Sequence, residues 1–155
     1  MSDNRTLIAY ATRMGATAES ALEIEAILRQ KYGLDVVNLK KNPSPKLKEY
    51  NNVIVGSGIA MGKWVRQALQ FLGNSLEGKK VAVPISSTMA GDPRSYDETF
   101  TKFIKELLAT RPDAKPVAKA AFGGRVGFLE LTFVDNRNVE KVRSWADEVG
   151  KKFSE

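Results

Sequence analysis

The sequence contains no cysteine and no histidine. Without cysteine there are no disulfides, no thiol nucleophile and no thiolate metal ligands. Without histidine there is no imidazole base, no His-containing triad and no histidine metal site. Redox chemistry in such a chain has to be carried by a bound organic cofactor. Long apolar runs are missing too. None reaches the ~18 residues of a membrane-spanning helix, so no membrane insertion is expected. The opening residues Met1-Ser2-Asp3-Asn4-Arg5 are polar and leave no room for a signal peptide, so a cytoplasmic location is expected. No repeat, linker or low-complexity tract divides the chain, and residues 1–155 read as a single domain with a sizeable core.

Acidic residues are in deficit. The chain has 24 Lys plus Arg against 18 Asp plus Glu, a net charge of +6, which points to anionic partners. The small clusters Lys40-Lys41, Lys79-Lys80 and Lys151-Lys152 carry no interleaved aromatics. They read as solvated faces, and nucleic-acid binding is not expected.

What the chain does have is alternation. Five short apolar runs rich in Val and Ile (Thr6–Ala11, Val36–Leu39, Val53–Val55, Val81–Ile85 and Val117–Phe122) alternate with amphipathic stretches. Such runs suit strands buried on both faces of a parallel sheet. The first helical pattern runs from Ala18 to Tyr32, with Gly33 expected to end it. Others follow Trp64, span about Tyr96 to Leu108, and span about Asn138 to Phe153. The expected class is α/β, a three-layer sandwich around a five-stranded parallel sheet in order 2-1-3-4-5. Ligands in such a sheet bind at the C-terminal strand ends beside the switch point, between strands 1 and 3. Three connections should meet there.

The first is Thr12-Arg13-Met14-Gly15-Ala16-Thr17, between an apolar strand and a helix. A helix N-terminus offers unpaired N–H groups and partial positive charge, so this turn fits a phosphate seat of neutral donors. It fits equally a plain βα turn with Thr17 as N-cap. The second is Gly56-Ser57-Gly58-Ile59-Ala60-Met61-Gly62-Lys63-Trp64. Its glycines suggest backbone close to a ligand. Met61 and Trp64 could pack on a flat ring, or Trp64 could simply cap the next helix. The spacing is neither a dinucleotide fingerprint nor a P-loop. The third, Ser86-Ser87-Thr88-Met89-Ala90-Gly91-Asp92-Pro93-Arg94-Ser95-Tyr96, is long for a βα connection, which signals function or a mobile surface loop.

Together these motifs carry a specific likeness. Ile8-Ala9-Tyr10-Ala11-Thr12-Arg13-Met14-Gly15-Ala16-Thr17, followed by Ala21 and Ile24, resembles the flavodoxin FMN signature, with Ala9 where a larger apolar residue is usual. The resemblance spans nearly the whole chain, at the length of a short-chain flavodoxin with no room for an insertion in the fifth strand. It implies a flavodoxin-like fold and FMN as cofactor. Residues 12–17 would hold the phosphate, and Ser57, Gly58, Ile59, Ala60, Met61, Gly62 and Trp64 would flank one side of the ring. Gly62 would be the peptide that turns toward flavin N5. Ser86, Ser87, Thr88, Met89 and Tyr96 would serve the other face, with Tyr96 as stacking aromatic. Phe122-Gly123-Gly124-Arg125 is similar to the flavodoxin-domain branch of the menaquinone-dependent protoporphyrinogen dehydrogenase. Two departures stand out: the chain is basic where flavodoxins are usually acidic, and Arg13 lies inside the phosphate turn.

The implied function is a low-potential electron carrier between redox proteins, with no catalytic side chain and no metal. The alternative is an FMN-dependent quinone or protoporphyrinogen oxidoreductase. A receiver domain shares the topology but needs acids after strand 1 and an Asp ending strand 3. Thr12-Arg13 and Gly56-Ser57 stand there instead. The expected partner is an acidic redox protein such as a ferredoxin, met by a monomer or weak dimer, with Lys63, Arg66, Arg94 and Arg125 as candidate docking charges.

Overall fold

The computed structural model describes residues 5–128 and 131–155; the polar segment 1–4, on which most of the signal-peptide expectation rests, lies outside them. The order of elements is β1 (Arg5–Ala11), α1 (Ala16–Leu28), β2 (Gly33–Asn38), β3 (Asn52–Ala60), β4 (Lys63–Trp64), α2 (Arg66–Leu72) and β5 (Lys80–Ser86). Then come α3 (Tyr96–Phe100), a π-helical stretch (Thr101–Glu106), α4 (Leu107–Ala109), β6 (Ala118–Phe122), β7 (Arg125–Phe128), β8 (Leu131–Asp135) and α5 (Val139–Phe153). Five parallel strands run in the order β2-β1-β3-β5-β6, the expected topology. β4 folds back antiparallel onto the end of β3, and β7 and β8 pair as a separate antiparallel hairpin.

Side chains two apart on a strand share a face, and the sheet divides its core accordingly. Leu7, Ala9, Val53, Val55, Val81 and Val83 face α2 and the α3–α4 region. Ile8, Ile54, Ala82, Ala120 and Phe122 face α1 and α5. Neither helical layer meets the other, which makes the three-layer sandwich. α1 buries Ala21, Ile24 and Leu28, and α5 buries Val142, Ala146, Val149 and Phe153, as the periodicity predicts. Val139 is the exception at 44% exposed. Trp145 takes a core place on α5 instead, edge-on to Phe122.

Several expectations are corrected here. Gly33 does not end α1. The helix closes on Arg29 with ordinary right-handed geometry, and Gly33 opens β2. The glycine-rich connection after strand 3 is mostly strand. β3 continues through Gly56, Ser57 and Gly58 to Ala60, and only Met61-Gly62 turns. β3 accepts these glycines because it is crowded: a Cβ at Gly56 would stand 3.3 Å from Thr17 Cγ2, and one at Gly58 3.3 Å from Thr17 Oγ1. β6 is unbroken, as expected of a short chain, but the hairpin β7–β8 follows it unforeseen. The Lys79-Lys80 pair is not merely solvated. Lys79 Nζ donates to the carbonyls of Leu47 (2.8 Å) and Tyr50 (2.6 Å). Lys80 Nζ donates to those of Phe153 (3.2 Å) and Glu155, where a cation suits the carbonyl end of α5. Among the described residues no helix is long and apolar enough to cross a membrane.

Candidate functional site

The C-terminal ends of β1, β3 and β5 open into a cleft of about 520 Å³, within the range of small-molecule sites. It gathers most of the residues expected there. Thr12, Arg13, Met14, Ala16 and Thr17 line it from the first turn; Gly58, Ile59, Ala60, Met61 and Gly62 from the second; Ser86, Ser87, Thr88 and Met89 from the third.

The first turn has the donors that an anion seat needs. Gly15 is the N-cap of α1 and has a left-handed backbone, φ +89°, which a side chain would disfavour. Its N–H donates to Thr12 Oγ1 at 2.9 Å, so the Thr12 hydroxyl braces the turn and keeps its own proton to give. Glu19 N–H is the first in α1 to bond back, to Gly15 O at 3.0 Å. The N–H groups of Ala16, Thr17 and Ala18 precede it at the open, positive end of the helix. Thr17 lies inside the helix rather than at its cap. It is 3% exposed, and its Oγ1 is buried with no hydrogen-bond partner among the described residues. A buried unpaired hydroxyl costs about 1–3 kcal/mol. Thr17 lines the cleft beside the open helix end, where a phosphate oxygen would satisfy the hydroxyl. The residues therefore fit the phosphate of FMN.

The second connection is a two-residue hairpin turn. Met61 (φ +54°) and Gly62 (φ +74°) are both left-handed, as a type I′ turn between Ala60 and Lys63 demands. Met61 is 93% exposed at the mouth. A Cβ at Gly62 would meet nothing within 4 Å.

The third connection is braced rather than loose. Ser87 Oγ accepts from Met89 N–H at 3.2 Å, Ser95 Oγ donates to Met89 O at 2.6 Å, and Asn136 Nδ2 donates to Thr88 O at 2.7 Å. Arg94 is tied to Asp92, whose carboxyl that guanidinium holds below its usual range.

Three expected site residues are elsewhere. Trp64 is 7% exposed and donates its indole N–H to Phe103 O at 3.0 Å; it is a core residue next to α2. Ser57 is fully buried, and its Oγ accepts from Val65 N–H at 3.0 Å. Tyr96 stacks on Phe100, ring centroids 6.1 Å apart, and burial, then Asp97, push its phenol up. None of the three lines the cleft.

Beside the expected residues stand others that the sequence reading did not name as cofactor-binding. Ser95, Glu98 and Thr99 around the start of α3, Lys102 and Phe103 from the π-helical stretch, and Gly124, Arg125 and Val126 from the start of the hairpin share the wall, a carboxylate among them. Arg125 was expected only as a docking charge. The π-helical winding shifts residues relative to a 3.6-residue period, so helical periodicity could not place Lys102. For the hairpin a signal existed: the Gly123-Gly124 pair followed by a run rich in Val, Phe, Leu and Thr reads as strand.

Comparisons with known proteins agree with this architecture. The flavodoxin domain family matches residues 7–152. No curated protein matches the sequence. Among solved structures, oxidised flavodoxin 2 from Bacillus cereus is 21% identical, with a TM-score of 0.61 over 97% of each chain. A cysteine-to-serine mutant of flavodoxin from Pseudomonas aeruginosa is 16% identical, with a TM-score of 0.60 over 96% of this chain and 99% of that one. A mutant of the flavo di-iron protein from Thermotoga maritima matches over 98% of this chain but 37% of its own, at 11% identity and a TM-score of 0.61. At these identities the structures speak for the fold.

Proposed function

Because the chain belongs to the flavodoxin domain family, we propose that it holds FMN in the cleft and serves as an electron carrier between redox proteins. One observation carries the reading: the buried, unpartnered Thr17 hydroxyl at the open N-terminus of α1. It supports a phosphate there, and the cleft continues from it toward Met61, Met89 and Phe103, soft surfaces suited to a flat ring. When bound, FMN supplies the one- and two-electron redox chemistry. The chain's own part is to seat the phosphate with Thr12, Thr17 and the first N–H groups of α1, and to flank the ring. The Met61-Gly62 turn is the backbone suited to changing its peptide orientation: it is a tight turn at the cleft, and a Cβ at Gly62 would meet nothing within 4 Å.

The partner this reading favours is an acidic redox protein such as a ferredoxin. Arg13 and Lys102 are exposed at the cleft, and Lys63 and Arg66 are exposed in and just after β4. Arg94 is less suited, since Asp92 partly neutralises it. An attractive field of this kind speeds association at low salt. A second reading, an FMN-dependent oxidoreductase acting on a quinone or a porphyrinogen, draws on the exposed apolar side chains at the mouth, Met61, Met89 and Val126. Turnover of such a substrate by the purified protein would favour it.

The deciding experiment is a titration of the apoprotein with FMN and with riboflavin, alongside the visible spectrum of the purified protein. Bound-flavin bands and an FMN affinity far above that for riboflavin are expected. Equal affinities would sink the assignment.

A further inference from the structure

We infer that Arg125 gives this site its preference for a flavin carrying a phosphate, by holding a positive charge against a turn whose own cation, Arg13, is solvent-exposed. The inference rests on the FMN reading above.

Arg125 stands 111 residues from the phosphate turn in sequence, yet reaches across it. Its Nε donates to Met14 O at 3.1 Å, and its Nη2 donates to the same oxygen. A Cβ on Gly15 would be 2.8 Å from Nη2, so the guanidinium lies against the N-cap of α1. Glycine at 15 therefore serves both the left-handed turn and the approach of this cation.

The placement is deliberate in its support. Arg125 opens β7, directly after Gly124. Gly124 N–H donates to Asn136 Oδ1 at 3.0 Å, and Asn136 N–H donates to Gly124 O at 3.1 Å. Asn136 also reaches Thr88 O, so one side chain ties the hairpin base to the third cleft loop. Gly123 permits the crossing: a Cβ there would lie 2.0 Å from Asn136 O.

Among the described residues the charge also has no ion-pair partner, though Glu98 lines the same cleft. Asp135 is the cross-strand neighbour of Arg125 in the hairpin, but its carboxylate is taken by Arg137, with Nε–Oδ1 at 2.7 Å. Among the described residues no carboxylate forms an ion pair with Arg125. Arg125 spends two donors on one carbonyl, and the remaining guanidinium donors and the whole charge stay at the cleft wall. A guanidinium in this setting, with a helix N-terminus and an orphan hydroxyl beside it, matches the phosphate monoester of FMN and has nothing to gain from riboflavin.

The test compares the parent, R125Q and R125K as apoproteins, each titrated with FMN and riboflavin by flavin fluorescence. Apoprotein melting curves check that folding is intact. R125Q is expected to raise the FMN Kd by about tenfold or more, the scale of a lost charged hydrogen bond, and to change the riboflavin Kd less than about twofold. R125K, which keeps the charge, should retain the larger share of the selectivity. Added salt should weaken FMN binding more steeply in the parent than in R125Q. An unchanged FMN Kd in R125Q, or an equal rise for both flavins, overturns the inference while leaving FMN binding in place. R125K losing as much selectivity as R125Q overturns it too. A parent that does not distinguish FMN from riboflavin overturns the reading beneath it instead.

Discussion

At the N-terminal edge of the sheet, Asp35 accepts from both Arg5 (2.5 Å) and the Tyr50 hydroxyl (2.6 Å), and Asn52 gives its buried amide to Thr6 Oγ1 at 3.1 Å. Lys79 and Lys80 close carbonyls there as well. At the C-terminal edge, Thr17 keeps a buried hydroxyl without a partner among the described residues, and α1 presents open N–H groups. The first edge does leave Arg5 Nε and Arg111 Nε unpaired, but its hydroxyls, amide and ammonium groups are paired within the chain. The backbone differs too: Gly15, Met61 and Gly62 are left-handed at the cleft, against Gly78 at the far edge. Buried unpaired atoms occur away from the cleft as well, Trp145 Nε1 among them. What distinguishes the cleft edge is that an orphan hydroxyl and open helix N–H groups fall together, where a single ligand would meet both.

Variants at the two edges should separate binding from stability. The largest effect is expected at Thr17. Thr17→Ala should cost about 1–3 kcal/mol of FMN affinity, the worth of a hydrogen bond to a charged group. The lost hydroxyl had no partner, so the apoprotein should lose only the packing of the Thr17 Cγ2 methyl against β3. Titration and apoprotein melting measure both halves, and a lower apoprotein melting point with intact FMN affinity would reverse the comparison. Asn52→Ala should do the opposite. It leaves Thr6 Oγ1 buried without its donor and should cost about 1–2 kcal/mol of stability, with the FMN Kd unchanged.

The smallest effect is the acid response of Asp35. The Tyr50 hydroxyl first, then Arg5, hold its carboxyl below its ordinary value of 3.8. A carboxyl depressed in the folded state contributes stability above its unfolded pKa and loses it as pH falls through the folded one. The loss therefore belongs below about pH 4. Tyr50→Phe removes the largest cause, so its denaturant midpoint should vary less with pH in that range than the parent's. The carboxylate is half-exposed, which keeps the effect small. FMN affinity at neutral pH should not respond.

The central frame was legible in the sequence because burial and chirality leave few choices. Runs such as Leu7–Ala11 and Val81–Ile85 suit interior strands, and right-handed crossovers then restrict their order, of which 2-1-3-4-5 is the simplest. The turn from β1 into α1 was legible because strand, glycine and helix sit side by side in the chain. What escaped depends on partners far away in sequence. The glycines of β3 read as a loop until Thr17 and Pro84 are seen against Gly56. Trp64 reads as a stacking ring until Phe103 O is found to receive its N–H. Arg125 was legible as a charge near the site, but not as the residue bridging to Met14, since that contact depends on a hairpin held by Asn136.

Met61 has a further consequence. A long apolar side chain sits there on a left-handed backbone, in a turn position that asparagine occupies with less strain. Selection acting on this codon is therefore divided. A population of variants screened for heat resistance should drift toward Asn, Asp or Gly at position 61. One screened for retention of a flat aromatic ligand should hold on to a flexible thioether. The residue that survives at such a turn records which of the two pressures has been the stronger in the history of the chain.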